Sequence, residues 1–347
     1  MHNSKKALFR ILLILLIVIG ISLPILYPYF SRDIYYYQDR AQRQGYAGQL
    51  DTLIVGSSEG LRGLDPTQID HIAGTTTYNI SAPMMTMCGR YRLLKHEISR
   101  NPIQTVVLEL SYESMARNRK DEGPEGDLSV LGRWDTPWQC LSFIVEAFPV
   151  DEIPWLYYDC LDRGMQSIKM LRNGDPTGPY IESINRRGFL LTPTQDVSLP
   201  QSEYLRSYHS KSLDTTIDPY NVEYLEKISA LCKENGIQLV IVTLPQAKSY
   251  TTEYSNLQVM TDYYRNFAAE NGWYYYDFNL WKERDTQLPE DEAFNDATHL
   301  SHYGSLIATQ QLTIWMGMEA AGEDTSALFY STHEEVDHAR GYIREIP

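Results

Sequence analysis

Residues Ile237 to Leu244 read IQLVIVTL, a run of aliphatic, largely β-branched side chains without strict alternation of apolar and polar positions. A run of that kind predicts a strand buried on both faces, as in a parallel sheet covered by helices. The stretch before it predicts one of those helices. Asp218-Pro219 supplies an N-cap and a first-turn proline, Val222, Leu225, Ile228 and Leu231 recur at helical spacing, and Gly236 ends the helix where the strand begins. Similar apolar runs lie further out: Leu53-Ile54-Val55 leading into Gly56-Ser57-Ser58, Thr76 to Ile80, Thr105 to Leu110 (TVVLEL), and Trp273 to Phe278 after Asn271-Gly272. Repeated strand-helix-strand units predict an α/β fold: three layers, α/β/α, around a doubly wound, flavodoxin-like parallel sheet of about five strands spanning residues 51–320.

About a hundred residues after the third strand, 116–215, break the alternation. They open with RNRKDEGPEGD, Arg117 to Asp127, a charged segment with glycine and proline that reads as a solvated loop. Trp134, Trp138, Trp155, Tyr157 and Tyr158 follow. This segment is expected to be an insertion forming a cap or rim over the sheet, with its aromatics packed beneath it. Residues 321–347 are acidic and weakly patterned, and are expected to be peripheral.

The N-terminus is different in kind. Ile11 to Phe30, ILLILLIVIGISLPILYPYF, holds twenty residues and no charge, enough for a helix about 30 Å long, the thickness of a bilayer's hydrocarbon core. No small-x-small cleavage site follows the run, so it reads as an uncleaved signal anchor, a single transmembrane helix over 11–30. Lys5, Lys6 and Arg10 precede it, while Arg32, Arg40 and Arg43 follow at wider spacing, with Asp33 directly after Arg32. The tighter cluster places residues 1–10 in the cytoplasm and the body outside the cell membrane, joined by a juxtamembrane linker over 31–50.

The chain carries 30 basic and 45 acidic side chains, a net charge of −15; without the three basic residues of the first thirty, the balance is −18. Such a surface repels phosphate backbones and argues against a nucleic-acid partner. Cys88, Cys140, Cys160 and Cys232 are scattered and form no C-x-x-C pair, which excludes a zinc ribbon or thioredoxin-type motif. Two disulfides or four buried thiols are both compatible with their spacing.

Two short motifs carry chemistry. Gly56-Ser57-Ser58-Glu59-Gly60 places serines at the carboxyl end of the first strand, where doubly wound sheets bind ligands. A serine hydroxyl needs a base within hydrogen-bond reach and a carboxylate to orient that base. Asp296-Ala297-Thr298-His299-Leu300 supplies both, in a loop after the last strand and just before an apolar helical run.

A G-x-S after the first strand with a late D-x-x-H-L resembles the first and last conserved blocks of the SGNH/GDSL hydrolase superfamily. The resemblance implies Ser58 as nucleophile, His299 as base and Asp296 as its orienting acid, with no metal or organic cofactor. Two departures stand out. Ser57 occupies the position of the family's aspartate, and the G-x-N-D block expected after the third strand is replaced by Glu109-Leu110-Ser111-Tyr112. The oxyanion and substrate-binding groups are therefore expected from Ser57, Asn79, Ser81 and Ser111, together with the backbone N–H of Ser58. His302 matches no family position and is expected to be structural or at the rim. The G-S-S-E start and the anchor look more like the envelope branch, which includes the teichoic-acid D-alanylation and alginate O-acetylation proteins. That likeness implies an esterase or O-acyltransferase using acyl esters and a glycan or polyol acceptor, with a membrane-bound O-acyltransferase as a possible partner. A non-catalytic protein on the same fold, binding an envelope polymer or partnering such an acyltransferase, is the alternative, and an α/β binding protein outside the family is a further one.

Overall fold

The computed structural model of the chain describes residues 2–30, 34–117, 125–159, 162, 187–195, 197–198 and 211–341; the side chains of 2–4, 21, 23–30 and 34–38 are outside the description. It divides into two compact units, one of Met1–Gly45 with Pro124–Glu182, the other of Tyr46–Gly123 with Ser183–Pro347.

The larger unit holds five strands, β1 (Thr52–Val55), β2 (Thr77–Asn79), β3 (Thr105–Glu109), β4 (Gln238–Thr243) and β5 (Tyr274–Asp277). All pair in parallel, in the order β2-β1-β3-β4-β5. Each predicted run is a strand, and the order is that of a doubly wound sheet.

Successive side chains of a strand face opposite sides. Ile54, Val107, Val240, Val242 and Tyr276 join one core with Ile69, Ala308, Leu312 and Trp315. These come from helices α4 (Pro66–Ala73) and α10 (His302–Ala320); α10 also packs on the short helix α3 (Ser58–Gly63). The alternate set, Leu53, Val106, Leu108, Leu239 and Ile241, is equally buried. Helices α5 (Met87–Ile98), α8 (Pro219–Glu234) and α9 (Leu257–Asn271) supply that second layer, with Leu93, Leu94, Leu225, Ile228 and Met260 buried. Asp218 caps α8 by accepting from Tyr220 N–H, with Pro219 in the first turn.

The smaller unit is helical. α1 (His2–Phe30) packs against α6 (Glu125–Leu131) and α7 (Pro137–Ala147), and α2 (Ile34–Gly45) occupies most of the expected linker. Asp39 on α2 is buried with Arg43 Nε at 3.0 Å and Arg133 Nε at 3.8 Å. Among the residues searched, no helix is long and apolar enough to cross a membrane. The second half of the expected span lies largely outside the described side chains, and Arg32 lies outside the described residues.

The insertion and the C-terminal segment are both tied to other parts of the chain. The first half of the insertion groups with the N-terminal helices, while residues 187–195 thread into the sheet unit through backbone bonds: Asn79 N–H to Arg187 O, Leu190 N–H to Leu61 O, and Gln195 N–H to Phe294 O. The C-terminal segment is also packed rather than peripheral. Its helix α11 (His333–Arg340) inserts His333 beside Thr261 Oγ1 at 3.1 Å and Tyr112 OH at 3.4 Å, in a network centred on buried Asp277. Most of the loop 117–127, the centre of the insertion and residues 342–347 lie outside the described residues. Cys88, Cys140 and Cys232 are buried, and among the described residues no disulfide joins them; Cys160 is outside the described residues.

Arg187 and Gly188 are consecutive left-handed residues, at φ 52° and 83°. A Cβ on Gly188 would stand 1.9 Å from Asn79 O. Gly188→Ala is therefore expected to destabilise the sheet unit by about 2–3 kcal/mol, seen as a lower melting temperature in a circular-dichroism melt.

Candidate active site

All five strands end on one rim, and the chain leaves β1 between neighbours it serves in opposite directions, β2 on one side and β3 on the other. Crevices open at such a reversal of strand order. Gly56-Ser57-Ser58 stands there. Ser57 is the N-cap of α3, its Oγ accepting the Glu59 N–H at 3.2 Å, so Ser58 becomes the first residue of that helix.

The loop before α10 comes to the same place. Asp296 Oδ1 accepts the N–H groups of Thr298 and His299, both at 2.9 Å, which folds the D-x-x-H stretch into a tight turn. The same carboxylate receives His299 Nδ1, at 2.9 Å from Oδ1 and 2.8 Å from Oδ2. An ionised carboxylate only accepts, so Nδ1 carries the proton and Nε2 is left as an acceptor. Ser58 Oγ lies 2.8 Å from that Nε2. Ser58, His299 and Asp296 thus form one hydrogen-bonded chain. Partial burial pushes the Asp296 carboxyl up, but the imidazole and the two turn N–H groups outweigh it and hold it well below the usual range.

Residues that sequence reading passed over hold the two halves in place. The loop after β4 donates Ala247 N–H to Ala297 O at 3.0 Å, inside the D-x-x-H turn, and Gln246 Nε2 to Glu59 Oε2 at 2.7 Å, beside Ser58. Fully buried Arg284 donates to Gln246 O and to Glu290 Oε1, and so fixes this loop from below. Glu109, the last residue of β3, is fully buried and accepts both the N–H and the O–H of Ser57 at Oε2, at 2.6 and 2.8 Å. The available signal was a lone carboxylate at the end of the otherwise apolar TVVLEL, since a charge buried in such a run requires partners.

The expected oxyanion and substrate-binding side chains are placed differently. Asn79 is fully buried, its amide donating to Gly60 O and Leu64 O and accepting the Ser81 N–H. That amide is spent on shaping α3. Ser81 is fully buried beneath Gly60, where a Cβ would meet its Oγ at 2.9 Å. Ser57 is bound to Glu109, and Ser111 shares its N–H and Oγ with Ser114 Oγ, at 2.9 and 3.1 Å. In this arrangement these side chains are largely buried, and those of Asn79, Ser57 and Ser111 are engaged within the protein. The Ser58 N–H, first in its helix, has no acceptor among the described residues. His302 begins α10 and ties it to the threaded segment, its N–H donating to Thr192 O at 2.8 Å.

No family model and no curated protein matches the sequence. Among solved structures, a Bacteroides fragilis protein provisionally assigned as an acylhydrolase shares 10% identity, covering 81% of this chain and 96% of its own, with a TM-score of 0.35. A GDSL-like lipase from Bacteroides thetaiotaomicron shares 11%, covering 82% and 98%, with a TM-score of 0.36. At that level neither activity nor substrate passes from those proteins to this chain.

Burial and the neighbouring Glu109 carboxylate raise the Glu59 carboxyl well above its ordinary value of 4.5, against the Gln246 bond that lowers it. A carboxyl so raised contributes stability that is complete below the unfolded value and is lost as pH rises through the folded one. Glu59→Gln is expected to remove this loss. Thermal melts at pH 5 and pH 8 then differ less in the variant than in the wild type.

Proposed function

We propose that the protein is an SGNH-type serine esterase or O-acyltransferase, anchored in the cell membrane and acting outside the cytoplasm on acyl esters of envelope glycans or polymers. The observation that carries the reading is the continuous chain from Ser58 Oγ through His299 to Asp296, with its 2.8 Å serine–imidazole contact. The Ser58 oxygen attacks the ester carbonyl carbon as its proton passes to His299 Nε2, and Asp296 stabilises the imidazolium. The carbonyl oxygen gains the negative charge, and the Ser58 N–H is the backbone donor placed to receive it. His299 then protonates the departing alkoxide, leaving an acyl group on Ser58. Water or an acceptor hydroxyl attacks that acyl group, gives its proton to His299, and the proton returns to Ser58 as its bond to the acyl carbon breaks. Neither metal nor organic cofactor enters these steps.

Anchoring is supported by α1. Its large apolar side chains from Ile11 to Val18 are between 46% and 66% exposed, with no polar residue among them. A helix apolar on all sides is at home in lipid. The absence of charge from Ile11 to Phe30 supports the same placement. A second reading, a non-catalytic protein that binds an envelope polymer or partners a membrane-bound O-acyltransferase, draws support from the internal use of Asn79, Ser81 and Ser111.

The full chain in detergent micelles is expected to hydrolyse an activated acetyl ester and to be labelled at Ser58 by a fluorophosphonate. Ser58→Ala and His299→Ala are expected to lower the ester rate roughly 10³–10⁶-fold, and Asp296→Asn on the order of 10⁴-fold, by favouring the wrong imidazole tautomer. A wild type that neither turns over nor is labelled would decide for the non-catalytic reading. Sedimentation with membranes after an alkaline carbonate wash checks the anchor, and release into the supernatant would refute it.

A further inference from the structure

The reading of Ser58 as nucleophile leaves open what holds it against His299. Glu109 touches neither, yet three observations converge on it. First, Oε2 takes both donors of Ser57, the backbone N–H at 2.6 Å and the hydroxyl at 2.8 Å. With its O–H committed to Glu109, Ser57 turns a lone pair to the Glu59 N–H at 3.2 Å. Rotation about both the backbone and the side chain of Ser57 is therefore blocked, and Ser58 follows directly. Second, the β1–α3 turn is shaped around this carboxylate. A Cβ on Gly56 would stand 2.5 Å from Glu109 Oε2 and 2.7 Å from Glu109 Cβ, and one on Gly60 would stand 3.2 Å from Glu109 Cβ. Third, the Glu109 backbone is itself tied down. Its carbonyl accepts buried Arg90 Nη1 at 2.7 Å, and the same guanidinium donates Nε to Met85 O at 3.1 Å, on the loop after β2. The guanidinium also sets a positive charge near the carboxylate, without which its burial would be costly.

We propose that Glu109 is the positioning residue of the nucleophile: its carboxylate, bonded across the β1–β3 switch point to both donors of Ser57, sets the direction of Ser58 toward His299. Ser57 is the lever through which it acts. This rests on the reading of Ser58 as nucleophile and goes beyond it, since neither Glu109 nor Ser57 touches the reacting atoms.

The test uses the full chain in micelles and a fluorophosphonate, with the inactivation constants kinact and KI measured well below the melting temperature. A displacement of about 1 Å at the nucleophile costs on the order of a hundredfold. Glu109→Gln, which keeps the reach but loses the charge, is expected to lower kinact roughly tenfold, and Glu109→Asp, which keeps the charge but is one methylene short, roughly a hundredfold. KI is expected to stay within about twofold, because the reagent does not touch Glu109. Ser57→Ala is expected to lower kinact a few-fold, and the Ser57→Ala, Glu109→Gln pair to be scarcely slower than Glu109→Gln alone, as coupled partners are non-additive. A role in stability alone would lower the melting temperature and leave kinact of the folded protein unchanged. Wild-type kinact in folded Glu109→Gln and Glu109→Asp, or additive losses in the double variant, would overturn the proposal while leaving the nucleophile reading intact. Should the Glu109 variants fail to fold, an unchanged kinact in Ser57→Ala overturns it. An unlabelled wild type overturns the nucleophile reading, and this inference with it.

Discussion

The pairing of β1 between β2 and β3 governs the rest of this molecule. A parallel strand flanked on both sides must be covered on both faces, and all four residues of β1 are buried. Because all five strands run the same way, their carboxyl ends share one rim, and the reversal of winding at β1 leaves a crevice there. Gly56-Ser57-Ser58 stands at this crevice, bonded to the loop after β2 through Gly56 O and Ala82 N–H and to β3 through Ser57 and Glu109, while Glu59 reaches the loop after β4. The site follows from topology before any side chain is considered.

What closes the site is a set of bonds between segments far apart in the chain. Ser58 and His299 are separated by 241 residues, Glu59 and Gln246 by 187, and Ser57 and Glu109 by 52. Each loop on the rim is held to at least one other: the D-x-x-H turn to the loop after β4 through Ala247 and Ala297, that loop to α3 through Gln246 and Glu59, and α3 to β3 through Ser57 and Glu109. Arg284 and Arg90, both buried, pin the outer members of this ring from beneath. Such a ring lets short loops hold side chains at hydrogen-bond precision without a rigid helix behind each of them.

How much of this was legible depended on distance in sequence. The strands were legible because burial on both faces writes itself into every residue of a short run, as in IQLVIVTL. Ser58, Asp296 and His299 were legible as candidates because each sits in a local turn with its own signature. Asn79 and Ser111 suggested ligand-binding groups by residue type and place in the chain, but neither reveals that backbone groups engage the Asn79 amide or that the Ser114 hydroxyl engages Ser111. The partnership of Glu109 with Ser57 and of Gln246 with Glu59 exists only after the sheet has formed, and no spacing encodes it. The packing of α11 was hidden for the same reason: His333 looks like any histidine in an acidic tail until Asp277, Thr261 and Tyr112 surround it.

The electrostatics of the rim set a constraint on any chemistry there. Attack by Ser58 would place a new negative charge beside Asp296, Glu59 and Glu109, three carboxyls within one crevice, and like charges at short range in a partly dry site oppose that strongly. The arrangement answers each one separately. Asp296 spends its charge on the imidazolium that forms in the same step, and on two backbone N–H groups. Glu109 is faced by the Arg90 guanidinium and by both donors of Ser57. At Glu59, burial and the neighbouring Glu109 carboxylate raise the carboxyl and so disfavour a further charge beside Glu109, while the donated Gln246 bond opposes that shift. An acidic crevice can in this way stay compatible with an anionic intermediate, provided that the charge on Arg90 is kept.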